Sequence, residues 1–176
     1  MKDKTTPSKR VVNGVEYDPY SIDKLNRIPM WLKVVLIKFW AAGATYYFVG
    51  WGLGGYLSSP LDQMLVIGGI LGLVIEYVIN KFITYLENDH EPTKQYKIVQ
   101  TSNVKSLFIN LGLGILFTIF ISYSYEGINR FLIMIQSLPS DQVPLPAGPI
   151  GFGLLFLLIE FIFLTIVQFF RKEKKG

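Results

Sequence analysis

Residues 73–80 read LVIEYVIN, and Glu76 stands in the middle of an otherwise apolar stretch. A second carboxylate is set the same way: Glu160 lies in LLIEFIF, residues 157–163. A carboxylate in such surroundings needs a cation, hydrogen-bond donors or a proton. Two chemistries follow. The glutamates are either members of a structural polar lock or a proton-titrating or cation-binding site; the remaining reading is that they face another protein. Three polar residues are within reach by spacing. Asn80 follows Glu76 by four positions and so shares its face on a regular helix. Lys38 sits in VVLIKFW and Asn110 in SLFINLG. The expected cluster is Glu76, Glu160, Lys38, Asn80 and Asn110. Both glutamates should point inward, Lys38 pairing with one and Asn110 with the other. If Lys38 takes Glu76, then Glu160 faces a neutral amide and becomes the candidate for a proton-coupled role.

The elements that must position these groups are membrane helices. The chain has 176 residues, 51% of them hydrophobic and 17% charged, with a mean hydropathy of +0.38. A soluble domain carries about a quarter charged residues. The apolar residues collect in four blocks, Val34–Leu57, Leu61–Leu86, Leu107–Tyr123 and Ile150–Phe170. Each approaches the ~20 residues needed to cross a bilayer and must be helical to satisfy its backbone there. A soluble bundle would need a polar helix face, and ILFTIFI and LLFLLI have none. The reading is an all-α polytopic membrane protein. Its four transmembrane helices run over about 30–57, 61–86, 104–125 and 150–170. Residues 1–29 form a polar tail ahead of them and 171–176 a basic tail behind. No signal-peptide pattern precedes the first helix, which should stay as an anchor.

Basic residues set the expected orientation. Lys2, Lys4, Lys9, Arg10, Lys24, Arg27 and Lys33 precede the first helix, and Lys94, Lys97 and Lys105 fill the loop after the second. The tail carries Arg171, Lys172, Lys174 and Lys175, whereas Ser58-Ser59-Pro60 has no base and the connection after helix three has only Arg130. The positive-inside rule then puts both termini and the middle loop in the cytoplasm, with the chain integral to the cell membrane. The net charge of +4 reads as this topology signal. Nucleic acid is not an expected partner, because no basic stripe interleaved with aromatics is present.

Helices two and four share the pattern around their glutamates at an offset of 84 residues, and Lys33-VVLI-Lys38-Phe39 matches Lys105-SLFI-Asn110-Leu111 at an offset of 72. This predicts two tandem helical hairpins, parallel repeats about an axis along the membrane normal. Under it Glu76 and Glu160 are equivalent, as are Lys38 and Asn110. Each glutamate lies 11 residues before the charged residue ending its helix, Glu87 or Arg171, which is roughly 16 Å and near the bilayer middle. Gly50 and Gly54, and Gly68 and Gly72, have the small-xxx-small spacing that lets membrane helices approach closely, within the bundle or across a homodimer face. The segment FLIMIQ, within 127–138, reads as a surface helix or an extension of helix three. Residues 1–20 read as a mobile tail with one turn. Ile22, Leu25 and Ile28 are spaced for a short surface helix or loop.

Lys38-Phe39, then Gly43, then Asn80 near the inner end of helix two resembles the pattern of GtrA-like proteins. These are small four-helix membrane proteins implicated in moving polyprenyl-linked sugars. The resemblance implies a lipid-carrier translocator and covers about 60 residues; mid-membrane glutamates such as Glu76 and Glu160 are not part of that family's pattern. Small multidrug transporters share four helices and a membrane glutamate, but theirs is in the first helix.

Enzymatic function is not expected. The chain has no Cys and a single His, His90, in the acidic loop ENDHEPTKQY. No Walker loop, GxSxG or HExxH motif occurs, and Gly50-Trp-Gly-Leu-Gly-Gly55 has no strand before it. No cofactor or metal is expected. Two functions remain: a non-catalytic accessory or scaffold subunit of a larger membrane complex, or a small oligomeric transporter or translocator using the buried glutamates. The expected partners are the lipid bilayer and either a second copy or another membrane protein.

Overall fold

The computed structural model describes residues 10–12, 15–17, 28–53, 56–57, 59–89, 96–139, 141 and 148–173. The chain divides into two compact units, Met1–Lys33 and Val34–Gly176. In the first, strands β1 (Arg10–Val12) and β2 (Val15–Tyr17) pair antiparallel, with Arg10 opposite Tyr17 and Val12 opposite Val15. The two residues between them are Asn13 and Gly14, the dipeptide favoured in two-residue hairpins. A tail expected to hold one turn thus contains a strand pair, and Val11-Val12 before Asn13-Gly14 with Val15 after it carry the strand signal. Most of the expected Ile22–Ile28 surface helix lies outside the described residues.

Among the described residues four helical rods are long and apolar enough to cross a membrane: Met30–Trp51, Pro60–Leu86, Val104–Gln136 and Pro149–Arg171. They are called here the first to fourth spans. The first is α1 (Met30–Thr45) followed by a π-helical turn, Tyr46–Trp51. The second is α2 (Pro60–Val74), a π-helical turn at Ile75–Ile79, and α3 (Asn80–Asp89). The third is α4 (Val104–Gln136) and the fourth is α5 (Pro149–Glu173). Local chemistry explains their starts. The Ser59 hydroxyl accepts the Leu61 N–H, Pro60 takes the first helical position and Asp62 lies in the first turn, all favourable at a helix N-terminus. Asn103 and Ser106 form a reciprocal capping box on α4. FLIMIQ extends α4, whose 33 residues give a rod of about 50 Å.

Glycines set the tightest contacts. A Cβ on Gly68 would lie 2.5 Å from Ile115 Cα, and one on Gly72 2.5 Å from Leu111 Cα; one on Gly114 would clash with the Gly68 and Gly72 backbone. The second and third spans therefore pack backbone on backbone. The first and fourth meet similarly: a Cβ on Gly43 would be 2.9 Å from Pro149 O, and one on Gly153 2.8 Å from Phe39 O. Gly50 is different. Its Cβ would only touch Ile67 Cδ1 at 3.4 Å, so it is no close-approach site, and Gly54 lies outside the described residues. Lipid is as apolar as a leucine, so such contacts stabilise by dispersion and close packing rather than by transfer from water. The buried middle is built from Ala42, Leu71, Phe117 and Phe156, with Phe117 edge-on to Phe156. Large apolar side chains such as Phe48, Phe108 and Phe161 point outward, as a hydrocarbon solvent allows.

Candidate functional site

The polar residues singled out by sequence are nearly all inside. Lys38 on the first span and Glu160 on the fourth are 3% and 7% exposed. Lys38 Nζ donates to Glu160 Oε1 at 2.6 Å and to the Tyr96 carbonyl at 2.8 Å. Glu76 is also buried, and it lies in the π-helical turn of the second span. Asn110 Nδ2 donates to its Oε2 at 2.5 Å. Ser106 Oγ and Ser102 Oγ approach its Oε1 at 3.1 and 3.2 Å. Ser106 Oγ is also 2.8 Å from Asn103 O, so its one proton serves either acceptor. Ser106 is the third residue of α4, and the positive end of that helix dipole favours a carboxylate beside it.

Of the two possible allotments, Lys38 takes Glu160 and Asn110 takes Glu76. The ammonium holds Glu160, and Glu76 is held by neutral donors with no ion pair among the described residues. The neutral-partner role therefore passes from Glu160 to Glu76. Asn80 also departs from expectation. It is half-buried, and among the described residues the donors to Glu76 are Asn110, Ser102 and Ser106 instead. Those three donors, from the third span and the segment ahead of it, already occupy both carboxylate oxygens.

Residues 96–103 run as a non-helical strap ahead of α4. Besides the Tyr96 carbonyl on Lys38 and the Ser102 hydroxyl on Glu76, Arg171 Nη2 donates to Ile98 O at 2.5 Å and Lys97 Nζ to Thr84 Oγ1 at 2.8 Å. Sequence reasoning missed this strap. Backbone carbonyls such as those of Tyr96 and Ile98 carry no residue-type signal. Ser106 could have been found, since it precedes Asn110 by one helical turn.

The bundle is layered along its axis. Next to the charged layer stands the apolar one of Ala42, Leu71, Phe117 and Phe156. Beyond it a cavity of about 390 Å³ opens between all four spans, lined by Tyr46, Gln63, Thr118, Ser122, Tyr125 and Phe152 among others. The Tyr46 and Phe152 rings stack at 4.9 Å on its wall. The Thr118 and Ser122 hydroxyls each donate to their own helix, to Gly114 O and Thr118 O, which leaves their lone pairs as acceptors.

The chain matches no protein-family model, no curated protein and no solved structure. Its chemistry must be read from the groups themselves. Among the described residues no group of three His, Cys, Asp or Glu could hold a metal; His90 lies outside them. The two carboxylates hold helices from opposite sides of the chain together, the first span to the fourth and the second to the third. Outside this cluster, a second and wholly apolar groove of about 270 Å³ lies on the surface by Phe39, Trp40, Tyr47, Phe48 and Pro149.

Proposed function

We propose that this multi-pass membrane protein is a small carrier of polar or amphipathic molecules, working without catalysis. One observation supports this reading above the others: a cavity with several hydroxyl and amide groups sits among all four spans, and a single apolar layer separates it from two buried carboxylates. Ligand sites in membrane carriers lie beside irregular helix segments, and Tyr46, on the cavity wall, opens the π turn Tyr46–Trp51. Intramembrane ionisable residues are costly, of order 2.5–3.5 kcal/mol each, and mark functional positions. The crossed pairing also fits two tandem repeats. Lys38 with Glu160 and Asn110 with Glu76 are the two matched pairs that a two-fold relation would exchange. With both termini and the strap cytoplasmic, the cavity faces outward from the cell membrane.

A carrier must present its cavity to both sides. The native chain lacks Cys, so Ser122→Cys is a unique probe in the cavity. An impermeant maleimide should label it in both right-side-out and inside-out vesicles, more than tenfold more slowly from the strap side. Labelling from the cavity side alone overturns the carrier reading and leaves the accessory-subunit reading, which the internal satisfaction of Lys38, Glu160 and Glu76 favours. A structural lock of that kind needs no access from the strap side.

A further inference from the structure

Among the described residues the strap, residues 96–103, is fastened to the spans by side chains rather than by a backbone ladder. Between 96 and 102 no backbone-to-backbone hydrogen bond joins it to another described residue. It is held at one end by the Tyr96 carbonyl on Lys38, at the other by the Ser102 hydroxyl on Glu76, and between them by Arg171 on Ile98 O and Lys97 on Thr84. These catches reach the first, second and fourth spans, and the strap itself leads into the third. Gln100 to Asn103 are exposed, so water already reaches one side of it. On its other side lies the buried charged layer. Two of the catches are the same groups that satisfy the carboxylates: Lys38 serves Glu160 and the strap together, and Glu76 accepts from the third span and the strap together.

We propose that the strap is a gate that opens as a unit and admits water to the Lys38–Glu160 pair from the end opposite the cavity. Three features argue for it. Irregular backbone is tolerated at membrane depth only where protein or water satisfies it, and here the partners are a few side chains that can exchange for water. The apolar layer of Ala42, Leu71, Phe117 and Phe156 already blocks the route from the cavity, so the strap is what closes the other end. Segments with few backbone bonds and exposed residues are also the first to open locally. The inference rests on the strap's own contacts and stands apart from the carrier reading.

Val34 reports on the gate. It is 2% exposed and precedes Lys38 by one turn, whereas Tyr46 of the cavity lies beyond Lys38 on the far side. Val34→Cys would be placed in the parent and in a background carrying Arg171→Gln and Ser102→Ala, which removes two catches. Leu71→Cys, in the apolar layer, serves as the control in both. The gate predicts that a small thiol reagent labels Val34→Cys at least tenfold faster in the released background while Leu71→Cys keeps its rate. An unchanged Val34→Cys rate overturns the proposal, and so does a parallel rise at Leu71→Cys, which would mean general loosening. Should the released background fail to fold, Ser102→Ala alone decides: it should speed labelling of Val34→Cys with Leu71→Cys unchanged, and an unchanged Val34→Cys rate would overturn the proposal.

Discussion

Replacing Lys38 by Met tests how the buried charges are apportioned. The side chain is 4% exposed, and Met keeps nearly the same shape without the ammonium. The change strands the Glu160 carboxylate, whose partner stood 2.6 Å away. Removing one member of a buried ion pair costs about 3–5 kcal/mol, because the other charge remains buried. Removing both restores an apolar contact. Lys38→Met with Glu160→Leu should therefore recover most of the loss, short of about 1–3 kcal/mol for the Tyr96 carbonyl, which loses its donor in both variants. The double should stand about 2 kcal/mol or more above the single. For a chain of this size that is roughly 4–8 °C in unfolding midpoint.

The comparison that discriminates is a second double. Lys38→Met with Glu76→Leu should show no recovery, because Glu76 is bonded to Asn110, Ser106 and Ser102 rather than to Lys38. Thermal unfolding in one detergent, at one pH, for the singles and both doubles is the assay. A Lys38/Glu160 double as unstable as the sum of its singles would refute the pairing, as would rescue by Glu76→Leu.

Three further outcomes are expected. Asn110→Leu removes the shortest hydrogen bond to Glu76 and should lower stability by about 1–3 kcal/mol; adding Glu76→Leu should return part of it in the same melting assay. Gly72→Ala must displace backbone, since its Cβ would lie 2.5 Å from Leu111 Cα. It should cost about 1–3 kcal/mol as overpacking, whereas Gly69→Ala and Gly112→Ala, with nothing within 4 Å of the added Cβ, should be neutral or gain up to ~1 kcal/mol of helix propensity. For topology, an impermeant thiol reagent on intact cells should label Asp141→Cys and spare Thr101→Cys, both positions being exposed; the reverse pattern would invert the orientation.

What sequence made legible here follows from what lipid demands. Four spans could be read because each must satisfy its backbone internally and face hydrocarbon, which leaves long apolar runs. The carboxylates could be read for the converse reason: nothing but a partner or a proton makes Glu76 and Glu160 tolerable where they are. Partner choice was harder. Spacing puts Asn80 four residues after Glu76, yet Asn110, Ser106 and Ser102 hold that carboxylate. Lys38 and Asn110 could each take either glutamate. The glycines decide between them, since Gly68, Gly72 and Gly114 draw the second span onto the third and so carry Glu76 to Asn110. Gly43 and Gly153 draw the first onto the fourth and carry Lys38 to Glu160. The small residues thus do more than fill an interface: by choosing which spans touch, they choose which charge meets which partner. Enlarging Gly153, whose Cβ would lie 2.8 Å from Phe39 O, should on this argument weaken the Lys38–Glu160 pair from two turns away. In a Gly153→Ala background the Lys38→Met loss should shrink, because Glu160 then has less of a partner to lose. An undiminished Lys38→Met loss there would show that the pair holds its spans together without help from the glycine contact.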